Sequence, residues 1–306
     1  MLTSEDKYLA RIIFRNRLLE SDGNSFEHLF TTIMNYAEPE FKQIKPWGKI
    51  GDRKNDGYIK TKGIYYQVYA PEDLRSNYPD MVKKLKDDFS GLLANWSQIN
   101  EFYFLVNDKF KGVNAEAEKI MNQLITNNNL SKGGIITASF LEEKLFSLSD
   151  DQIKVVIGII PDPSKIKLEY NTLNEVISHI MELSLEQAHV SEILMPDWDE
   201  KIKFNQLSSA TAHLLNNGYF QINNLQKYLD NNSQFLADDL RDKMNEIYIY
   251  EKSKHTGDEL FWAIVNKASP KNISSYQSAV IVIMAKYFEA CDIFERPDGV
   301  ENDTSH

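Results

Sequence analysis

A proline-containing break at residues 159–165, with the sequence IIPDPSK, separates two parts of the chain that differ in hydrophobic periodicity. Before the break, short apolar runs typical of strands alternate with amphipathic segments typical of helices. From residue 171 onward, apolar residues recur at helical spacing throughout. The pattern predicts an α/β domain with a mixed sheet at residues 1–165 and an all-α domain at residues 171–306. A length of 306 residues agrees with two domains.

The predicted elements of the first part follow in a mixed order. A helix begins at Ser4, and a second helix is capped by Asn24 or Ser25. Apolar runs then predict strands at about 47–50, 64–70, 102–106 and 134–138, and amphipathic spacing predicts helices at 81–96, 115–125 and 141–148. This order favours a sheet that is covered by helices on both faces.

Charge is distributed unevenly along the chain. Residues 42–86, called the basic region below, contain eleven Lys and Arg against five Asp and Glu, although the whole chain has a net charge of -11. Residues 171–306 contain eleven basic and twenty-one acidic side chains. A basic region in an acidic chain indicates an anionic partner, and phosphate backbones are bound through such charge. We predict nucleic-acid contacts by Arg53, Lys60, Lys62, Lys83 and Lys84, although the run that includes Lys86 is equally consistent with a solvated surface.

The cysteine content and the lengths of the apolar runs limit the cellular compartment that the sequence predicts. Cys291 is the single cysteine, so a disulfide within the chain and a cysteine-based zinc site are excluded. The longest apolar runs, at 155–160 and 279–285, are far shorter than the roughly 20 residues that span a bilayer. The first twenty residues are charged and amphipathic, unlike a signal peptide. We therefore predict a cytoplasmic protein without a membrane segment.

Residues 51–73, GDRKNDGYIKTKGIYYQVYAPED, combine a carboxylate-bearing turn with an apolar strand that carries polar side chains at alternate positions. Strand side chains alternate between faces, so Gln67 and Tyr69 are expected on one face and Tyr66 and Val68 on the other. A hard cation such as Mg²⁺ needs few protein oxygens, and Asp56 with Gln67 could supply them. The pattern indicates metal-dependent phosphodiester hydrolysis, and a loop carboxylate such as Asp56 is expected to contribute little to packing.

This segment resembles the restriction-endonuclease-like, or PD-(D/E)xK, superfamily, in which an acid precedes a strand that reads Asp/Glu/Gln, any residue, Lys. The resemblance implies that Mg²⁺ or Mn²⁺ is bound by Asp56, Gln67 and Glu27. Glu27 could instead be a first-turn residue that interacts with its helix dipole. The family lysine is replaced by Tyr69, so the positive charge comes from Lys54, Lys60 or Lys62, or the site is inactive. The candidate catalytic residues are Asp56, Gln67, Glu27, Tyr69 and Lys54.

A second resemblance covers the C-terminal part. Residues 189–208, 237–253, 257–265 and 276–297 resemble the C-terminal domain of effectors from bacterial ABC-three-component systems, and GDRKNDG…YYQVYAPE is similar to one of their N-terminal effector modules. The resemblance implies a role in defence against phage or plasmids. It also implies an ABC or SMC-like ATPase and a small middle component as partners that control the effector.

Three functions remain open from the sequence. The chain could be a metal-dependent DNA endonuclease that its partner ATPase regulates. It could be an inactive nuclease fold that binds nucleic acid, as the replacement of the family lysine by Tyr69 suggests. It could also be an adaptor that only assembles the complex. The basic region argues against the adaptor, and the polar strand positions favour the endonuclease over the inactive fold.

Overall fold

The computed structural model describes residues 2–45, 53–74, 78–184, 198–233, 235–290, 292–295 and 297. Contacts within the chain divide it into two compact units. The first unit contains residues 17–156, and the second contains residues 1–16 together with 157–306. The predicted fold class is confirmed, because a mixed sheet with helices is followed by an all-helical C-terminal region. The predicted limits of 1–165 and 171–306 concern separately folding domains and stay a prediction.

A mixed sheet forms the centre of the first unit. Its described strands lie in chain order: β1 (Lys42–Gln43), β2 (Gly57–Ile59), β3 (Ile64–Tyr69), β4 (Glu101–Val106) and β5 (Lys132–Ile136). β1 with β2 and β2 with β3 pair antiparallel, whereas β3 with β4 and β4 with β5 pair parallel. In the register of the parallel pair, Gln67 of β3 lies beside Phe104 of β4.

Helices cover both faces of this sheet. The helices of the first unit, with the two that run across its limits, are α1 (Ser4–Glu20), α2 (Gly23–Ala37), α3 (Tyr78–Asn95), α4 (Ala115–Asn127), α5 (Ala138–Phe146) and α6 (Asp150–Ile157). On one face, Tyr65 and Phe104 belong to a buried cluster with Leu85 of α3 and Met121 of α4. On the other face, Tyr66 packs against Phe30 of α2. β3 therefore separates two apolar layers, which is why it reads as a nearly continuous apolar run.

Two helix starts differ from the sequence prediction. The second helix begins at Gly23 with Asp22 as its N-cap, and not at Asn24 or Ser25, because Ser25 donates its hydroxyl to the Asp22 carbonyl. The strand predicted at 134–138 ends at Ile136, and Ala138 already begins α5. The Asp108 carboxylate accepts the Ala138 N–H at 3.0 Å, so it satisfies a donor at this helix start.

Other strand predictions need correction or lie outside the described part. β3 and β4 agree with the predicted strands to within a residue, whereas β1 and β2 were not predicted. These two strands contain only two and three residues, too few to give an alternating pattern. The strand predicted at 47–50 lies outside the described residues.

The second unit is helical. After residue 157 its helices are α7 (Tyr170–Glu182), α8 (Trp198–Phe204), α9 (Ser209–Tyr219), α10 (Ile222–Asp230), α11 (Leu236–Lys252), α12 (Gly257–Ala268) and α13 (Ser274–Glu289). α13 is buried on nearly every side from Gln277 to Phe288, as expected for a central helix. α9 approaches α13 closely at Gly218, where a Cβ atom would lie 2.9 Å from the Ile281 carbonyl oxygen. In the described part of the chain, no helix has the length and apolar character that a membrane crossing requires.

The start of α1 belongs to this second unit. Leu9, Ala10, Ile12 and Ile13 are buried. The Tyr8 hydroxyl donates to Asp258 Oδ2 at 2.9 Å, and Asn16 Nδ2 donates to the Glu259 carbonyl at 3.0 Å. Asp258 also accepts the Ser208 N–H through its other oxygen. The N-terminal sixteen residues therefore contribute both apolar surface and hydrogen bonds to the helical unit.

Candidate functional site

Asp56 and Gln67, the central pair of the sequence prediction, lie on neighbouring segments of the chain. Asp56 directly precedes β2, and Gln67 lies in β3, the strand that pairs with β2. The Asp56 N–H donates to the Tyr66 carbonyl at 3.0 Å, and Asp56 Oδ2 accepts the Val68 N–H at 2.7 Å. Tyr66 and Val68 flank Gln67 on β3. Asp56 therefore brackets Gln67 with its backbone on one side and its carboxylate on the other.

The Asp56 side chain is more buried than the sequence suggests, and a backbone hydrogen bond holds it in place. Its residue is 6 % exposed, and the Val68 N–H that it accepts is buried. The backbone carbonyl of Asp56 accepts the Ile44 N–H at 3.1 Å, which connects Asp56 to the residue that follows β1. The expectation that Asp56 contributes little to packing is therefore wrong. This carboxylate takes the place of a backbone acceptor on the β2 side of β3, beyond the last residue pair of these two strands, and its orientation is fixed by that bond.

Two side-chain atoms of this site are buried without a hydrogen-bond partner among the described residues. They are Gln67 Oε1, on a residue that is 3 % exposed, and Asn55 Nδ2, on a residue that is fully buried. Asn55 Oδ1 accepts the Gly57 N–H at 3.1 Å, which holds the turn before β2. A buried, unsatisfied polar atom costs about 1–3 kcal/mol. An acceptor and a donor in this state, one on the residue before Asp56 and one on the strand that Asp56 bonds, are consistent with a place for a polar ligand.

Glu27 is the fifth residue of α2 and lies past the first turn, which contains no acidic residue, so the alternative of a first-turn glutamate is wrong. Its side chain faces a lysine. Its Oε1 is 3.9 Å from Lys45 Nζ, and both side chains are partly exposed. Lys45 follows Ile44, whose N–H donates to the Asp56 carbonyl, so Glu27 reaches the chain next to the site. The Glu27 carboxylate thus pairs with Lys45. Its predicted role as a metal ligand stays a prediction.

Tyr69 lies at the position where the PD-(D/E)xK pattern has a lysine, and its phenol cannot supply the positive charge of that lysine. Its ring stacks on Phe104, with centroids 6.1 Å apart and planes 22° apart. Burial, with a smaller contribution from the negative charge of Asp80, raises the pKa of Tyr69 above its ordinary value. The phenol is therefore protonated and neutral at physiological pH. It can donate a hydrogen bond, but a cation must come from another residue.

Lys54 is held by Asp88 of α3, together with Lys84. Lys54 Nζ lies 2.8 Å from Asp88 Oδ1, and Lys84 Nζ lies 2.6 Å from Asp88 Oδ2, the latter off the direction of an ideal hydrogen bond. The Asp88 carboxylate is 1 % exposed, whereas both lysines keep contact with solvent. Asp88 lies on the core-facing side of α3, the helix that covers the sheet face of Tyr65 and hence of Gln67.

An unusual backbone conformation before Asp56 accompanies the contact between Lys54 and Asp88. Arg53 and Lys54 both adopt left-handed conformations, with φ of 54° and 64°, which residues other than glycine adopt rarely. The Lys54 side chain then runs across α3 at Gly91, where a Cβ atom would lie 2.7 Å from Lys54 Cγ. Left-handed non-glycine residues concentrate at functional sites, and here two of them position a lysine near Asp56.

We expect the two lysines to stabilise Asp88 redundantly. Lys54→Met or Lys84→Met alone should lower the free energy of unfolding by about 1 kcal/mol or less, because the other lysine still pairs with the carboxylate. The double variant leaves a buried carboxylate unpaired and should cost about 3 kcal/mol, more than the two single effects together. Urea unfolding of the full chain measures this, with Lys83→Met/Lys86→Met as the control on exposed positions of the same helix. Additive losses would contradict this redundancy.

The other predicted nucleic-acid contacts are on the surface. Arg53, Lys60, Lys62 and Lys83 are exposed. In the described ranges, no carboxylate lies within ion-pair distance of these four side chains. They are available for phosphate groups, whereas Lys54 and Lys84 share the single negative charge of Asp88, which offsets one of their two positive charges. Their role in binding stays a prediction.

Cation binding at this site stays a prediction. Among the residues that the structure describes, no group of three or more His, Cys, Asp or Glu side chains could hold a metal ion. The predicted cation would have the Asp56 carboxylate and the Gln67 amide oxygen as protein ligands, with water and phosphate completing its coordination. Mg²⁺ commonly binds in this way, with one or two protein carboxylates and several waters.

Asn55, Asp88 and Lys45 were not predicted as parts of the site. Asn55 could have been found, because it directly precedes Asp56 and Asn in a turn often bonds the backbone two residues later. No sequence pattern around Asp88 or Lys45 identifies these residues as parts of the site. Their contacts to Lys54 and Glu27 come from the packing of α3 and from the path of the chain after β1.

Residues 171–295 match the family model for C-terminal domain 10 of the ABC-three component (ABC-3C) systems. No curated protein and no solved structure matches the chain. The match confirms the C-terminal resemblance predicted from the sequence. Residues 171–295 thus form a domain of the ABC-3C type, and a domain of a multi-component system implies partner components.

Proposed function

We propose that the chain is the effector of an ABC-3C defence system against phage or plasmids, and that its first unit hydrolyses DNA phosphodiesters with the help of Mg²⁺ or Mn²⁺. The observation that carries this proposal is the arrangement of Asp56 and Gln67. The Asp56 carboxylate is fixed by the N–H of Val68, and the preceding residue, Gln67, has a buried amide oxygen without a partner among the described residues. This pair follows the acid and glutamine of the PD-(D/E)xK pattern.

The residues around this pair have distinct tasks in the proposed reaction. A bound Mg²⁺ ion would polarise a phosphate oxygen and lower the pKa of a coordinated water. Asp56 and Gln67 would hold this ion in a fixed position, because the strand pairing determines where both side chains lie. Asn55 Nδ2, a buried donor without a described partner, could donate to a phosphate oxygen. Lys54 would supply the positive charge that the PD-(D/E)xK pattern takes from its strand lysine, because Lys84 shares the pairing with Asp88.

The second unit is proposed to connect the effector to its partners. Its match to an ABC-3C C-terminal domain supports binding to an ABC or SMC-like ATPase and to a small middle component. The acidic balance of residues 171–306 agrees with protein contacts and disfavours a grip on DNA. Under this proposal, the partners determine when the first unit cleaves DNA.

A second candidate function is nucleic-acid binding without hydrolysis. The observation that favours it is Tyr69, which is neutral and stacked where the family has a lysine. In this alternative, the exposed lysines and Arg53 would bind phosphates while Asp56 serves only the fold.

One assay separates the two candidates. The purified chain with its partner components is incubated with supercoiled plasmid in Mg²⁺, in Mn²⁺ or in EDTA. The proposal predicts nicked or linear plasmid in either metal and none in EDTA. Binding to plasmid without cleavage in any metal, with the full complex present, would favour the second candidate.

We expect Tyr69→Phe to retain activity. A neutral, stacked phenol that does not transfer a proton can lose its hydroxyl with little effect, and the rate of plasmid cleavage should stay within about threefold of the original. General acid catalysis by this phenol would instead contribute about 100-fold or more. A loss of that size with an unchanged melting temperature would make Tyr69 the general acid of the reaction.

A further inference from the structure

Tyr58, Tyr65 and Trp96 form a cluster that we call the aromatic platform. The Tyr58 and Tyr65 rings stack with centroids 5.8 Å apart and planes 19° apart, and Trp96 lies 5.4 Å from Tyr58 and 5.6 Å from Tyr65. Tyr65 is 4 % exposed and closes the core beneath, whereas Tyr58 and Trp96 are half-buried. The platform therefore presents aromatic surface to solvent at one corner of the first unit.

Cationic residues share this corner. Trp96 Nε1 donates to the Arg53 carbonyl at 3.1 Å, and Asn100 Nδ2 donates to the Lys62 carbonyl at 3.0 Å. Lys60 and Lys62 lie in the 3-10 turn that directly follows β2, the strand that contains Tyr58. These hydrogen bonds and the chain path place exposed positive charges around the two half-buried rings. The Thr61 hydroxyl donates to Glu40, so an exposed carboxylate also lies at this corner.

The aromatic platform adjoins the Asp56 and Gln67 site. Tyr65 and Gln67 are two residues apart on β3, so their side chains lie on the same face of the sheet about 7 Å apart along the strand. Tyr58 follows Asp56 by two residues along the chain. A ligand that lies on the rings would therefore continue toward the candidate site.

We propose that the aromatic platform binds a single-stranded nucleic acid, with bases stacked on Tyr58 and Trp96 and phosphates contacted by Arg53, Lys60 and Lys62. Exposed aromatic rings combined with a positively charged surface are the arrangement that binds single strands without sequence preference. A base can offer its face to these rings only when it is unpaired. A duplex could meet the charges but not the rings. The inference rests on the proposed function and deepens it by naming unpaired strands, which supercoiled plasmid exposes locally, as the substrate, although the binding itself does not require hydrolysis.

Binding is tested with the full chain in EDTA, so that no cleavage occurs. The probes are a fluorescein-labelled mixed-sequence oligodeoxynucleotide, its oligoribonucleotide counterpart and the corresponding DNA duplex. Tyr58→Leu and Trp96→Leu keep apolar volume and remove the aromatic face. Each should weaken single-strand binding by about 5- to 150-fold, the range measured for loss of one stacked base. Tyr36→Leu, on an exposed tyrosine of α2, is the matched control and should leave affinity unchanged.

The charged residues give an independent readout. Lys60→Gln and Lys62→Gln should each reduce the slope of log affinity against log salt by about 0.7, as expected for one phosphate contact on a single strand. Glu40→Gln should strengthen binding, because it removes the carboxylate from this corner. Equal effects on the DNA and RNA probes indicate recognition of bases and phosphates, and a preference for one of them identifies the sugar that is contacted.

Outcomes for the two proposals differ. Single-strand affinities of Tyr58→Leu and Trp96→Leu equal to those of the original chain, with unchanged melting temperatures, would overturn the aromatic platform as a binding site. Failure of the original chain to bind either single-stranded probe would overturn it as well. Weakened binding in these variants, combined with no hydrolysis by the original complex in Mg²⁺ or Mn²⁺, would support the platform and contradict the proposed endonuclease.

Discussion

We expect Asp56→Asn to abolish plasmid cleavage and the defence of cells against phage while the chain stays folded. The substitution removes the negative charge that would hold a cation, but its amide oxygen can still accept the Val68 N–H. Loss of a group that stabilises charge in a reaction commonly costs about 100-fold or more in rate. Cleavage by the purified complex and survival of cells in a phage challenge measure the effect, and the melting temperature reports folding.

Two further variants define the origin of this loss. Asp56→Ala leaves the buried Val68 N–H without its acceptor and should destabilise the chain by about 1–3 kcal/mol in addition to abolishing activity. Glu72→Gln removes one exposed carboxylate just after β3 and should affect neither property. Full protection by cells that carry Asp56→Asn would contradict the proposed role of this carboxylate.

We also expect the helical unit to lose much of its stability without residues 1–16. These residues bury Leu9, Ala10, Ile12 and Ile13, and Tyr8 and Asn16 add hydrogen bonds to the start of α12. Burial of one large aliphatic side chain contributes about 1.5–3 kcal/mol. Removal of three such side chains therefore exceeds what a fragment of ordinary stability tolerates.

Fragments and a point variant test this expectation. The fragment 157–306 should unfold at a much lower temperature than the same fragment with residues 1–16 joined to it by a flexible linker. In the full chain, Ile13→Ala should cost about 2–4 kcal/mol, whereas Arg11→Ala, on the exposed side of the same helix, should cost far less. Equal melting temperatures for the two fragments would show that residues 171–306 fold without the N-terminal helix, as the predicted domain limits imply.

Strong periodicity explains which elements could be predicted from the sequence. β3 and β4 lie between apolar layers, so their buried runs identified them. The central helix α13 gave an apolar run for the same reason. β1 and β2 escaped prediction because such short strands are stabilised by pairing with neighbours and not by their own composition. The start of α5 depends on Asp108, which lies thirty residues earlier in the chain.

The site was predictable where its residues are close in sequence. Asp56 and Gln67 are connected by a tight β2 and β3 pairing, and strand alternation suffices to expect them near each other. Asp88 and Trp96 contribute through α3, and their contacts with Lys54 and Arg53 depend on how that helix packs. The burial of Asp56 could not be predicted either, because it results from the bond between its side chain and a strand that follows it.

The central claim is that Asp56 and Gln67 hold a divalent cation, and Mn²⁺ binding measured by electron paramagnetic resonance tests it most directly. The full chain should bind Mn²⁺ at a site that is lost in Asp56→Asn, weakened in Gln67→Ala and unchanged in Glu72→Gln. Mg²⁺ should displace the bound Mn²⁺. Mn²⁺ binding that is the same in the original chain and in Asp56→Asn, or no binding by either, would contradict the account.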